Sequence, residues 1–166
     1  MSYSIRCGIV RGFVAAVLTA GLPMESRGQA PTTPVPEVRL DVLAASQTNL
    51  VQLGSALSFG STGYGRTVLA VAGGTATRGG QTRGSARIDS AIRFHLDPYR
   101  LSKWGAYAQG GVSALYEEFD GWRALVSVAI GVETPPAAHK TWAFELGLGG
   151  GIRLGLALRR ARPDSR

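Results

Sequence analysis

The chain is short of most things that soluble domains and metal or thiol chemistry rely on. Cysteine occurs once, as Cys7, and histidine twice, as His95 and His139. Zinc needs several convergent nitrogen, sulfur or carboxylate ligands, so neither a metal nor any other cofactor is expected. Lysine is confined to Lys103 and Lys140, and charged residues make up only 17% of the chain. Soluble domains carry about a quarter, so something other than water is expected to cover part of this surface. The glycine-rich stretch Gly60–Thr67 lacks the lysine of a phosphate loop and any following helix, and reads as a turn. The arginines are interspersed along the chain with no basic stripe, which argues against a nucleic-acid partner. No segment after residue 37 shows a helical period.

The apolar run near the start is also too short to cross a membrane as a helix. Arg6 and Arg11 precede Gly12–Leu22, and Gly28-Gln29-Ala30 is a small-x-small pattern. This is the layout of an export signal over residues 1–30, since a spanning helix needs about 20 apolar residues. Those residues hold three Arg and one Glu, net +2 of the chain's +7, so the mature chain would carry +5. It would also lose Cys7, and with it any disulfide. Residues 31–37 (PTTPVPE) read as a proline-rich lead-in, 38–160 as one folded domain, and 161–166 as a basic tail.

What is present is a period of two. In Thr141–Arg159 the even positions Trp142, Phe144, Leu146, Leu148, Ile152, Leu154, Leu156 and Leu158 are all apolar, with only Gly150 as a gap. The odd positions are small or charged. Glycine is abundant, at 23 residues, and clusters of Gly, Pro, Asp and Asn punctuate the chain at the spacing of a β-meander. Eight strands are read: Val38–Ala45, Leu50–Phe59, Thr67–Thr77, Ser85–Leu96, Trp104–Tyr116, Trp122–Val132, Trp142–Leu148 and Ile152–Arg159. Six longer strands are the rival count. The apolar face moves from even positions (Val38, Leu40, Val42) to odd ones (Val51, Leu53, Leu57), and a turn near Ser46–Asn49 explains the shift. Odd-length loops preserve parity, so Gly149–Gly151 pairs Leu148 with Ile152. A loop over Glu117–Gly121 likewise pairs Tyr116 with Trp122.

Alternation alone leaves open which face is inside, but three features favour apolar outside and polar within. The polar face is built mostly of Gly, Ala and Ser, which suit the narrow interior of an eight-stranded barrel. Its charges nearly balance: Arg39, Arg87, Arg93, Arg123 and Arg153 against Asp41, Asp89, Glu133 and Glu145, with Glu117 at a strand end. Buried charges must be paired, so these residues, with His95, are expected to form an ion network in a lumen. Trp104, Tyr116, Trp122 and Trp142 fall at strand ends on the apolar face, with Tyr64, Tyr99 and Phe119 in the adjoining turns. They are the candidate aromatic girdle.

With these features, residues 38–160 resemble the small outer-membrane β-barrel proteins of Gram-negative bacteria. The resemblance implies an all-β, antiparallel up-and-down meander closed into a small transmembrane barrel. It also implies export to the outer membrane, a lipid bilayer and the barrel-assembly machinery as partners, and a monomer. Relatives often end in a polar-x-Gly-x-x-apolar-x-apolar signal; Arg153, Gly155 and Leu158 match it, while Arg160 stands where the last apolar residue belongs. The basic cluster Arg159, Arg160, Arg162 and Arg166 reads as a solvated tail, with anionic lipid or peptidoglycan as the other reading. The function expected is non-enzymatic: envelope integrity, surface interaction or passage of very small solutes. The alternative is a secreted, soluble, lipocalin-like barrel binding an apolar ligand. A weaker alternative is a lipid A-modifying enzyme using Asp89, Arg93 and His95, which share one strand face.

Overall fold

A computed structural model of the protein describes residues 34–60, 64–96 and 104–160. The export signal and the basic tail expected from sequence lie outside those residues. The described chain is all β: β1 (Val35–Ala44), β2 (Asn49–Phe59), β3 (Gly65–Arg78), β4 (Gln81–His95), β5 (Gly105–Glu117), β6 (Gly121–Glu133), β7 (Lys140–Leu148) and β8 (Ile152–Arg160). Each strand pairs antiparallel with its sequence neighbours, and β1 pairs with β8, closing an eight-stranded barrel.

The turns follow from glycine and parity. Leu148 pairs with Ile152 and Tyr116 with Trp122, as their loops require. The break between β1 and β2 falls at 45–48, where the Ala45 amide donates to the Thr48 carbonyl at 2.9 Å. This even-length loop moves the outward face from even to odd positions and removes the six-strand count. The strands read from the sequence leave residues 78–84 (RGGQTRG) as a loop between Thr77 and Ser85. Instead the strands run to Arg78 and resume at Gln81, with only Gly79 (φ 55°) and Gly80 (φ 80°) between them. A two-residue hairpin of this type needs positive φ at both positions, which glycine adopts without steric cost.

One boundary needs a larger correction. β1 begins at Val35, inside the expected lead-in. Pro36 is tolerated because the β8 ladder starts only at Glu37, so its missing N–H removes no bond on that side. Glu37 is thereby a strand residue and fully buried.

The meander sets two rims. Connections 45–48, 79–80, 118–120 and 149–151 lie at one, here the turn rim. The loop rim carries the start of β1, the end of β8, the ends of β2 and β4, the starts of β3 and β5, and the connection 134–139. Burial alternates without a break along β1 and β7, and through the loop-rim parts of β4 and β6, whose turn-rim ends are exposed on both faces. The buried face is the lumen.

Candidate functional site: the lumen and the wall

The lumen has two sections. In the larger one, five arginines (Arg39, Arg87, Arg93, Arg153, Arg159) and five carboxylates (Glu37, Asp41, Asp89, Glu133, Glu145) are all buried. Each sits at an inward position of its strand, so period-two geometry aims every one at the same narrow space. Glu145 is the hub. It accepts from Arg39 Nη2 at 2.6 Å, Arg159 Nη2 at 2.8 Å and the Tyr107 hydroxyl at 2.6 Å. Arg153 approaches it at 3.5 Å. Glu37 takes two bonds from Arg93, at 2.6 and 3.2 Å, and lies 3.1 Å from Arg159 Nε. Asp41 pairs with Arg87, whose Nε donates to Asp89 at 3.0 Å, and Ser113 donates to Asp89 at 2.5 Å. Arg159 also pairs with Glu133, which His95 Nε2 approaches at 3.5 Å. These contacts cross the barrel: Arg39 and Glu145 are 106 residues apart in sequence.

Tyr107 organises the loop-rim half of this network. Two guanidiniums lie over its ring, Arg93 at 5.1 Å and Arg159 at 4.7 Å from the centroid. Cations over an aromatic face are attracted to its negative quadrupole. The ring lies so close to Gly131 that a Cβ there would strike it. Glycine in this wall is room for the tyrosine.

The second section, toward the turn rim, is apolar. Leu43, Leu50, Ala76 and Leu115 form a buried cluster, with Phe119 and Leu125 packed on it. Phe119 is held from above by Arg78 and Arg83, 4.9 and 4.7 Å from its ring centre. Arg78 ties three turns together, donating to Thr48 at 2.8 Å and to both Asp120 oxygens at 2.9 and 2.5 Å. The Asp120 carboxyl, in an exposed turn, is held below its ordinary range, first by the hydrogen bond from Arg78 and then by the charges of Arg78 and Arg123.

The expected network residues therefore fall into two groups. Arg39, Asp41, Arg87, Asp89, Arg93, His95, Glu133, Glu145 and Arg153 lie in the lumen. Arg123 does not join them: it stands at the turn rim, its side chain 40% exposed, and pairs with Glu117. It lies too far along β6 to reach the other arginines' partners. Sequence reasoning missed Glu37, Tyr107 and Arg159. Asp89, Arg93 and His95 form no single cluster, because each spends its bonds elsewhere: on Arg87 and Ser113, on Glu37 and Gln109, and against Glu133. Among the described residues no group of three or more His, Cys, Asp or Glu is placed to hold a metal ion.

The outer wall is the converse of the lumen. Leu53 and Ile130 are 63% exposed and Val126 75%, while Arg93 and Asp41 are 0%. Trp104 and Trp142 are exposed at the loop rim. At the turn rim Trp122 is exposed and meets Tyr116 in a tilted ring contact at 5.3 Å. Phe119, grouped with the girdle from sequence, turns inward onto the apolar cluster instead. The chain matches no protein-family model and no curated protein.

Proposed function

We propose that this protein is a non-enzymatic outer-membrane β-barrel with a lumen filled by its own side chains, serving envelope integrity or surface interaction. The observation that carries the reading is the inversion of burial. Leucine, valine or isoleucine is exposed on seven of the eight strands, β5 presenting mainly alanine and glycine, while ten ionisable side chains are enclosed. A soluble monomer rarely exposes contiguous apolar patches beyond a few hundred Å², whereas a bilayer offers hydrocarbon to such a wall. The outward residues from Trp122 to Val132 cover ten steps of β6. That is on the order of 25 Å of height at the usual strand rise and tilt, matching the apolar band of membrane barrels.

The soluble lipocalin-like alternative requires an apolar interior with room for a ligand. Here the interior is salt-bridged at one level and packed with leucine at the other, which argues against that alternative. Passage of even small solutes is disfavoured by the same plug, so no wide conductance is expected in planar bilayers. Cell fractionation tests the location. The protein should sediment with outer membranes, need detergent for extraction, and change gel mobility on boiling. Recovery in the soluble periplasmic extract without detergent would overturn the reading.

A further inference from the structure

Among the described residues the outer wall carries only two charges. Every described carboxylate is inside the lumen (Glu37, Asp41, Asp89, Glu133, Glu145) or at the turn rim (Glu117, Glu118, Asp120). Lys140 and Arg160 alone occupy outward positions, both exposed, directly opposite each other in the β7–β8 ladder at the loop rim. Neither has an ion-pair partner among the described residues. Like charges directly opposite on adjacent strands, with Cβ atoms about 5 Å apart, are destabilising. An anion between them reverses the sign of that interaction.

The surroundings say which anion fits. One outward pair deeper lie Trp142 and Leu158, and beside Leu158 lies Val38. From Val38 a shallow groove of about 510 Å³ runs over Ser55 and Gly73, walled by Leu53 and Val71. Adjacent strands are ~4.8 Å apart, so the groove begins one strand across from Arg160 and runs away from the rim. Two cations at the level of a headgroup, a tryptophan just below, and an apolar channel leading inward have the layout of a phospholipid. We propose that Lys140 and Arg160 clamp the phosphate of one anionic phospholipid whose acyl chain lies in the Val38–Ser55–Gly73 groove. This rests on the membrane reading above.

Arg159 and Arg160 then have opposite fates. The first is neutralised by Glu37, Glu133 and Glu145 inside the barrel. The second keeps its charge for the bilayer.

The test is native mass spectrometry of the full mature barrel in detergent, titrated with dioleoyl-phosphatidylglycerol. The parent should hold one lipid and bind dioleoyl-phosphatidylcholine far more weakly. Lys140→Gln with Arg160→Gln should weaken phosphatidylglycerol binding by about fivefold per cation. Gly73→Phe should weaken it several-fold, because a Cβ at Gly73 meets nothing closer than 3.9 Å and the new ring fills the groove without disturbing the barrel. Arg162→Gln with Arg166→Gln should bind as the parent does. Glycerol phosphate, a headgroup without chains, should not compete at equal concentration. Equal binding of both lipids, parent-like binding by the double or the Gly73 variant, loss of binding with the tail variant, or competition by glycerol phosphate would each overturn the site. A barrel that stays monodisperse without detergent overturns the membrane reading instead.

Discussion

The two sections of the lumen solve the same packing problem with opposite chemistry. Around Glu145, charges from β1, β4, β6, β7 and β8 meet in a mesh of short bonds. Within the cluster around Leu115 the contacts are dispersion and shape, and charge enters only where Arg78 and Arg83 cover Phe119 at its edge. An ion pair is directional and tolerates no missing member, since one lost partner strands a buried charge. A leucine cluster loses only area and leaves a cavity. The charged section therefore fixes which strands face each other across the barrel, and the apolar section seals the turn rim.

That contrast is broken most directly at the hub. Glu145→Leu leaves Arg39, Arg153 and Arg159 short of a counter-charge, and a loss of about 3–5 kcal/mol is expected. The measurement is the urea midpoint of refolded barrel in vesicles, followed by gel mobility without boiling. A loss below about 1 kcal/mol would mean that the network does not tie the strands together. Leu115→Ala should cost somewhat less, about 2–4 kcal/mol, by the same assay. Matched values at pH 7 and pH 4 are expected for the leucine variant's difference from the parent, because no group that titrates there is removed.

Much of this architecture was legible because its signals are local. Strand number, the Leu148–Ile152 pairing and the phase shift after β1 follow from parity and glycine placement within a few residues. Nine of the network positions were legible for the same reason, as inward charges on alternating strands. Glu37 was hidden by its prolines, although it sits two residues before Arg39 on the same face. Arg159 was masked by Arg160, since adjacent arginines look like one basic run when they point to opposite sides of a wall. Tyr107 carried no signal, because an aromatic on the polar face looks like an exception until Gly131 is seen beneath it. The partners across the lumen were not readable at all. They depend on axial height, set by the stagger of strands around the closed barrel, and parity says nothing of height. Arg123 shows the limit: it has the right face but the wrong height.

At the loop rim, Ala138 (φ 47°) and His139 (φ 60°) both adopt left-handed backbone in the hairpin closed by Ala137 and Lys140. A residue with a Cβ pays roughly 1 kcal/mol there. Ala138→Gly should raise stability by about that much, offset in part by glycine's greater freedom when unfolded. A destabilised variant would mean that Ala138 makes contacts worth more than the backbone strain.

The smallest effect belongs to the clamp that holds Phe119 over the apolar section. Asp120 is exposed, so its pair with Arg78 is screened and weak. Its pH dependence still has a definite sign. The folded carboxyl is held below the ordinary aspartate value of 3.8, so its contribution is complete above that value. It is lost as pH falls through the lower, folded value. Asp120→Asn should therefore lower the urea midpoint slightly at pH 7, and the gap between variant and parent should close on acidification below about 3.8. Raising salt at pH 7 should narrow the same gap. Any effect of acid elsewhere in the barrel is common to both proteins, so the difference between them isolates the clamp. A gap that persisted unchanged in acid would assign the effect to the shape of the turn, leaving Phe119 held by its packing on the leucines and not by the charges above it.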